Sequence, residues 1–143
     1  NLIIFYTKIK RSANKIEKSK NFSSTKTFNI LNDIKSLAFQ AEKELISTSN
    51  FNTNEIGNLL NENWKLKKKL SEKVSNYKID EIYNEAINSG ASGGKLLGAG
   101  GGGFMLFYCK KNKQKNLKKR LNKFTSLNFE FINSGSEIIE NEI

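Results

Sequence analysis

Eight of the ten glycines in this chain fall between Gly90 and Gly103. The segment reads Gly90-Ala91-Ser92-Gly93-Gly94-Lys95-Leu96-Leu97-Gly98-Ala99-Gly100-Gly101-Gly102-Gly103, then enters the apolar stretch Phe104–Cys109. A glycine in regular structure costs about 1 kcal/mol relative to alanine, so four in succession answer a specific need. Glycine is required for a positive φ and for bringing backbone N–H groups close to an anion, and phosphate is the usual anion of such loops. A flexible linker is the competing reading. Linkers, however, are not bounded by Leu96-Leu97 on one side and Phe104-Met105-Leu106 on the other.

The phosphate motifs that compete for this loop fail on context. Gly98, Gly100 and Gly103 match the spacing of a dinucleotide fingerprint, which follows a strand, opens a helix and has an acidic residue about 20 positions on. Here the loop follows a helical pattern and leads into a strand, and the residue at that distance is Lys123. A Walker A loop needs Ser or Thr after Gly-Lys, whereas Gly94-Lys95 is followed by Leu96. A protein-kinase glycine loop expects catalytic and metal-binding motifs downstream, and none follows.

Few other residues are equipped for chemistry. Thr7 and Arg11 lie at the exit of the first strand, where a phosphate-bearing acceptor could be gripped; a surface ion pair is the plainer role for Arg11. Lys95 either adds charge at the loop or faces solvent. Cys109 is the single cysteine and the chain has no histidine, which excludes a Cys–His nucleophile and argues against a metal site. It also excludes an internal disulfide, as suits a reducing, cytoplasmic setting. Asp80 and Glu81 open a helix and suit its dipole. Trp64 belongs to an apolar helical stripe, and Lys67–Lys69 reads as the solvated side of that helix.

The elements that must position these residues follow from periodicity. Leu2–Lys8 is a strand with apolar residues on both faces. Ser12 caps a helix with Ala13 and Ile16 inward. Phe28, Leu31, Ile34, Ala38, Ala41 and Leu45 mark the inner face of a second helix. Ser47 through Asn54 is turn-like, and Asn52 with Glu55 forms a capping pair for a third helix, lined by Ile56, Leu59, Leu60, Trp64 and Leu70. Ile79, Ile82, Tyr83, Ala86 and Ile87 mark a fourth helix, which Gly90 stops. The glycine loop comes next, then the strand Phe104–Cys109. A basic helix over Lys113–Phe124 follows, with Leu117, Leu121 and Phe124 inward. Leu127–Ile132 alternates as a half-buried strand, and after Gly135 a short edge strand covers Ser136–Ile139. This order predicts an α+β fold: a ferredoxin-like, mainly antiparallel sheet with helices inserted after the first strand.

Composition bounds the rest. At 143 residues, with 37% hydrophobic and 27% charged, the chain makes one ordered domain over 1–143. No apolar run is long enough to cross a bilayer. The net charge of +10 admits a polyanionic partner, yet Arg11 and Arg120 are the only arginines among 24 basic residues. Arginine is the better reader of phosphates and bases, so a nucleic-acid role is disfavoured. The alternative of a basic binding module rests on Lys110, Lys111, Lys113, Lys115, Lys118, Lys119 and Arg120, with no aromatics between Tyr108 and Phe124 to stack on bases. The chain enters its first strand directly from Asn1, and truncation is the expected reason.

Gly94-Lys95-Leu96-Leu97-Gly98-Ala99-Gly100-Gly101-Gly102-Gly103-Phe104 resembles the third motif of the GHMP kinases (galactokinase, homoserine, mevalonate and phosphomevalonate kinases). Ser134-Gly135-Ser136 is similar to the C-terminal region of that family. Phe5-Tyr6-Thr7, Arg11-Ser12-Ala13 and the Gly93–Leu97 lead-in most resemble the heptose 7-phosphate kinases within it. The resemblance implies the C-terminal domain of an ATP- and Mg2+-dependent kinase acting on a sugar phosphate, a heptose 7-phosphate at its anomeric hydroxyl. Galactose or mevalonate is the alternative acceptor. It implies that Gly98, Ala99, Gly100, Gly101, Gly102 and Gly103 line the ATP and substrate cleft, with Lys95, Thr7 and Arg11 as substrate contacts. The ATP-cradling motif, the catalytic acid and the magnesium ligand would belong to an N-terminal domain not found in these residues. No catalytic or metal-binding residue is therefore expected here, and the chain alone is expected to be inactive. A homodimer is left open by the resemblance.

Overall fold

The computed structural model describes residues 1–46 and 53–137, excepting the side chains of residues 53 and 54. Four strands, β1 (Leu2–Tyr6), β2 (Ala91–Leu96), β3 (Phe104–Cys109) and β4 (Thr125–Leu127), form one sheet in the order β2-β3-β1-β4. Every neighbouring pair is antiparallel, with Leu2 opposite Tyr108, Ile4 opposite Leu127 and Leu96 opposite Met105. The helices are α1 (Ala13–Glu17), α2 (Thr25–Ile46), α3 (Thr53–Lys68), α4 (Tyr77–Asn88) and α5 (Lys111–Arg120), with a 3-10 turn at Glu72–Val74. Without α1 to α3 the order is β1-α4-β2-β3-α5-β4, which is the ferredoxin-like arrangement. The inserted helices follow the first strand, as the sequence predicts.

The core lies between the sheet and α4 and α5. On β1, Ile3 and Phe5 are buried while Leu2, Ile4 and Tyr6 are half-buried. Met105 and Phe107 of β3, Leu96 of β2, Ile79 and Ile82 of α4, and Leu117 and Leu121 of α5 complete this layer. Phe5 packs edge-on to Phe107 at 6.2 Å, and Tyr83 joins Phe107 to Trp64 at 6.1 and 6.5 Å. Trp64 is core, as its stripe predicts. At the start of α4 the Asn76 side chain accepts from the Ile79 N–H, and Gly90 closes the helix with φ 110. Asp80 in the first turn accepts from Lys68 at 3.1 Å and Ser75 at 2.9 Å.

The glycine segment is not one loop, which corrects the sequence reading. Ala91–Leu96 is a strand, and two of its glycines serve packing. A Cβ on Gly93 would stand 1.7 Å from the Gly57 carbonyl oxygen, because α3 lies directly against β2 at this point. Strand periodicity is invisible in Ala-Ser-Gly-Gly-Lys-Leu because helix backbone occupies the side-chain space at Gly93, and Phe107 with the Leu106 carbonyl of β3 occupies it at Gly94.

Two other expectations fail for want of a covering layer. In α2 the residues turned inward are Thr27, Ile30, Ile34, Leu37 and Ala41, whereas Phe28 is 61% and Leu45 64% exposed. Apolar residues occupy both sides of α2, and its tertiary contact is mainly with α3, which selects the other stripe. The strand expected at Leu127–Ile132 is replaced by β4, which ends at Leu127. Beyond it Phe129 and Phe131 pack on each other at 5.7 Å, and Phe131 and Ile132 stay exposed. Ser136 and Glu137 are not in a strand, and the rest of that expected edge strand lies outside the described residues. Of the turn expected over residues 47–54, residues 47–52 lie outside as well, with Asn52 of the capping pair, while Thr53 and Asn54 open α3 instead.

Gly93→Ala should lower unfolding stability by about 3 kcal/mol, the upper part of the overpacking range, because the obstruction is helix backbone. Gly135→Ala, which meets nothing within 4 Å, should stay within about 0.5 kcal/mol of wild type. Urea unfolding of both variants measures the difference.

Candidate functional site

Leu97–Gly103 forms the connection between β2 and β3, beside the exit of β1. Gly98, Gly100, Gly101 and Gly103 take positive φ values of 71, 121, 73 and 98. Gly100 is constrained twice, since a Cβ there would stand 2.8 Å from the Val74 Cα and its φ also disfavours a side chain. Ala99 packs against the core and anchors the turn inward.

Three distant segments pin this turn through its backbone. The Thr7 N–H and hydroxyl both donate to the Gly103 carbonyl at 2.8 Å, and the Gly103 N–H donates to the Ile9 carbonyl at 3.2 Å. The Gly101 N–H donates to the Val74 carbonyl at 2.8 Å, and the Asn76 side-chain amide donates to the Gly101 carbonyl at 3.2 Å. From α3, Lys67 donates to the Leu96 carbonyl at 2.9 Å and also to the Gly98 carbonyl. The N–H groups of Gly101 and Gly103 are thus committed to protein carbonyls.

The structure separates the residues singled out from sequence. Thr7, expected as a substrate contact, is 2% exposed; its hydroxyl donates to Gly103 and accepts from the Ile9 N–H at 3.3 Å. It positions the turn. Arg11 is exposed, and one guanidinium nitrogen lies 3.1 Å from where a Gly98 Cβ would be and 3.9 Å from that of Gly103. Lys95 is half-buried and donates to the Asn63 side chain on α3. Gly98, Ala99, Gly100, Gly101, Gly102 and Gly103 form one turn, with Arg11 beside Gly98 and Gly103 and Lys95 on the strand that leads into it.

Sequence reasoning missed Lys67. Instead of lying on a solvated side, it is half-buried against the loop, while Lys68 reaches Asp80 and Lys69 is exposed. The signal was its helical spacing. Leu60, Trp64 and Lys67 fall at i, i+4 and i+7, which places this lysine on the inward stripe. Burial and the nearby charges of Lys95 and Lys20 hold its pKa down at about 8; Glu17 opposes them and Arg11 adds to the depression. Burial also lowers the pKa of Lys95.

A divalent cation does not fit these residues. The carboxylate beside Lys67 is Glu17, which is paired with Lys20 at 2.7 Å, and one lysine-bound carboxylate does not make a magnesium site. Cys109 is buried in β3, and burial pushes its thiol pKa up, against nucleophilic use.

The six basic residues of α5 are all exposed. At one edge Arg120 is paired with Glu85 of α4, and the cleft beside it, of about 930 Å³, sets Glu81 and Glu85 among Lys78, Lys119 and Lys123. Among the described residues no helix is long and apolar enough to cross a membrane.

Residues 43–126, from the end of α2 to β4, match the family described as GHMP kinases C terminal. The D-glycero-alpha-D-manno-heptose 7-phosphate kinase of Campylobacter jejuni is 37% identical over 123 residues, 85% of this chain and 35% of that protein. A bifunctional fucokinase/GDP-fucose pyrophosphorylase of Arabidopsis thaliana is 36% identical over 93 residues, 64% of this chain and 9% of that protein. The crystal structure of Methanococcus jannaschii mevalonate kinase superposes with a TM-score of 0.70 at 30% identity, over 88% of this chain and 37% of that one. The chain thus spans about a third or less of the length of each.

The depressed Lys67 pKa makes a direct prediction. Its side-chain carbon resonance should titrate near pH 8 by NMR, and Lys95→Gln should move that midpoint upward by removing a like charge. Because the folded value lies below the unfolded 10.5, charged Lys67 costs stability in full below pH 8. That cost is relieved as pH rises towards 10.5. Lys67→Met should flatten this rise, seen in urea unfolding at pH 7, 8 and 9.5.

Proposed function

The chain belongs to the GHMP kinases through their C-terminal domain, and on that premise we propose that it serves an ATP-dependent small-molecule kinase acting on a sugar phosphate. The heptose 7-phosphate kinase relative supports this acceptor class; the anomeric hydroxyl is the proposed site of phosphoryl transfer. The observation that carries the reading is the pinned glycine turn with Arg11, Lys67 and Lys95 around it. A non-phosphorylated acceptor is the second reading, favoured by the mevalonate kinase superposition. The proposed setting is the cytoplasm, where ATP and sugar phosphates are found.

Phosphoryl transfer asks a protein mainly for positioning and for stabilisation of spreading negative charge. On this reading the chain contributes both. The turn between β2 and β3 is a rigid wall, since Thr7, Ile9 and Val74 hold its backbone on separate sides. Arg11, Lys67 and Lys95 supply positive charge along it. GHMP kinases use ATP with Mg2+; the residues that cradle ATP and hold the metal are proposed to lie in a further domain, because these do not fit a metal. The 143-residue chain alone is accordingly proposed to be inactive.

The test is a kinase assay, with ATP and Mg2+, of the chain alone and of the product of the reading frame extended upstream of Asn1. The chain alone should show no turnover, and the longer product should phosphorylate heptose 7-phosphate. In that product, Gly100→Ala should cut kcat about 100-fold, since displacements near 1 Å have that effect. Turnover by the chain alone would refute the proposed division of labour. Turnover of mevalonate but no sugar phosphate would establish the second reading.

A further inference from the structure

Among the described residues, four cations, Lys67 included, gather around the glycine turn against a single carboxylate. Lys67 lies in the field of Lys95, Lys20 and Arg11, with Glu17 the one opposing charge. Lys20 is already paired with Glu17 at 2.7 Å, and its side chain is 7% exposed. No ion pair involves Arg11, Lys67 or Lys95 among the described residues. Lys67 and Lys95 reach only neutral oxygens: the carbonyls of Leu96 and Gly98, and the Asn63 side chain.

Half-buried lysines of like charge without an anion destabilise one another, and relief comes from losing a proton or gaining an anion. Neutral oxygens satisfy their N–H groups but leave the excess charge. Arg11 stands exposed by the same turn, with a donor fork suited to phosphate oxygens. The positions are not incidental to the fold. Asn63 and Lys67 are one turn apart on α3, and the close contact of Gly57 with Gly93 sets that helix against β2.

We propose that Arg11, Lys67 and Lys95 form a binding site for a phosphate group beside Gly98, with Lys67 bridging the anion to the turn. The site rests on the kinase reading only for the source of that phosphate, which is the phosphorylated acceptor or ATP. It joins an element that sequence had assigned to solvent, Lys67, to two that it had assigned to substrate. Bound phosphate neutralises the excess charge, so it raises the proton affinity of Lys67 and stabilises the turn through the Gly98 carbonyl.

Phosphate binding is measured on the full chain by NMR, following the Lys67 side-chain carbon and the Gly98 amide during titration with inorganic phosphate. The expected result is a saturable shift of both signals and a Lys67 midpoint that rises from about 8. Arg11→Gln, at an exposed position that spares the fold, should weaken phosphate binding about tenfold. A hexose 6-phosphate that competes where the free hexose and ATP do not identifies the acceptor as the source. Competition by ATP alone identifies the nucleotide. An unmoved Lys67 midpoint, an equal shift with chloride, or wild-type phosphate affinity in Arg11→Gln would each overturn the site. This readout involves no turnover, so it stands or falls separately from the kinase assay.

Discussion

Two backbones can touch only where no Cβ stands between them, and the architecture of this domain depends on that condition at Gly57 and Gly93. The carbonyl of Gly57 occupies the space of a Gly93 side chain, so α3 rests directly on β2. With the helix at that distance, Asn63 reaches Lys95 and Lys67 reaches the carbonyls of Leu96 and Gly98. A helix held farther out by ordinary side chains would leave those carbonyls to solvent. The same condition recurs at Gly100, which lets Val74 come close enough to accept from the Gly101 N–H. Core packing and site geometry share this origin.

Part of the glycine turn serves as shape. Loops of this composition suggest a nest of free N–H groups, yet those of Gly101 and Gly103 are committed to Val74 and Ile9. Side-chain charge on α3, on β2 and on the segment after β1 lies near the turn as well. Charge supplied in this way can be tuned by burial and by neighbours, as the depressed pKa of Lys67 illustrates. Backbone dipoles cannot be tuned so freely.

Much of the fold was legible in the sequence, and the parts that were not share a cause. The α4 stripe, its Gly90 stop, the buried Trp64 and the strands β1 and β3 follow from local periodicity. β2 was hidden because its glycines answer to distant partners: Gly93 to Gly57 of α3, some 36 positions earlier, and Gly94 to Phe107 of β3. The inward stripe of α2 was misread because apolar residues lie on both sides and only its packing on α3 chooses between them. At the site, the glycine turn and Arg11 were visible as residue types. Lys67 was not, because a lysine run looks solvated until one member is seen to follow Leu60 and Trp64 around the helix.

The central strand pair sets an order of events when the chain is made. Leu2 pairs with Tyr108 and Tyr6 with Phe104, so β1 has no central partner until the polypeptide has been synthesised past β3. Of the strands of this sheet β1 is made first, and it waits with its apolar residues unprotected while α1 to α4 are built. Pairings so far apart in sequence carry a large loop-closure entropy and slow the search. The glycine turn inherits this delay. Thr7 and Ile9, which hold Gly103, are delivered by the same strand. Assembly of the turn thus awaits the pairing of β1 with β3.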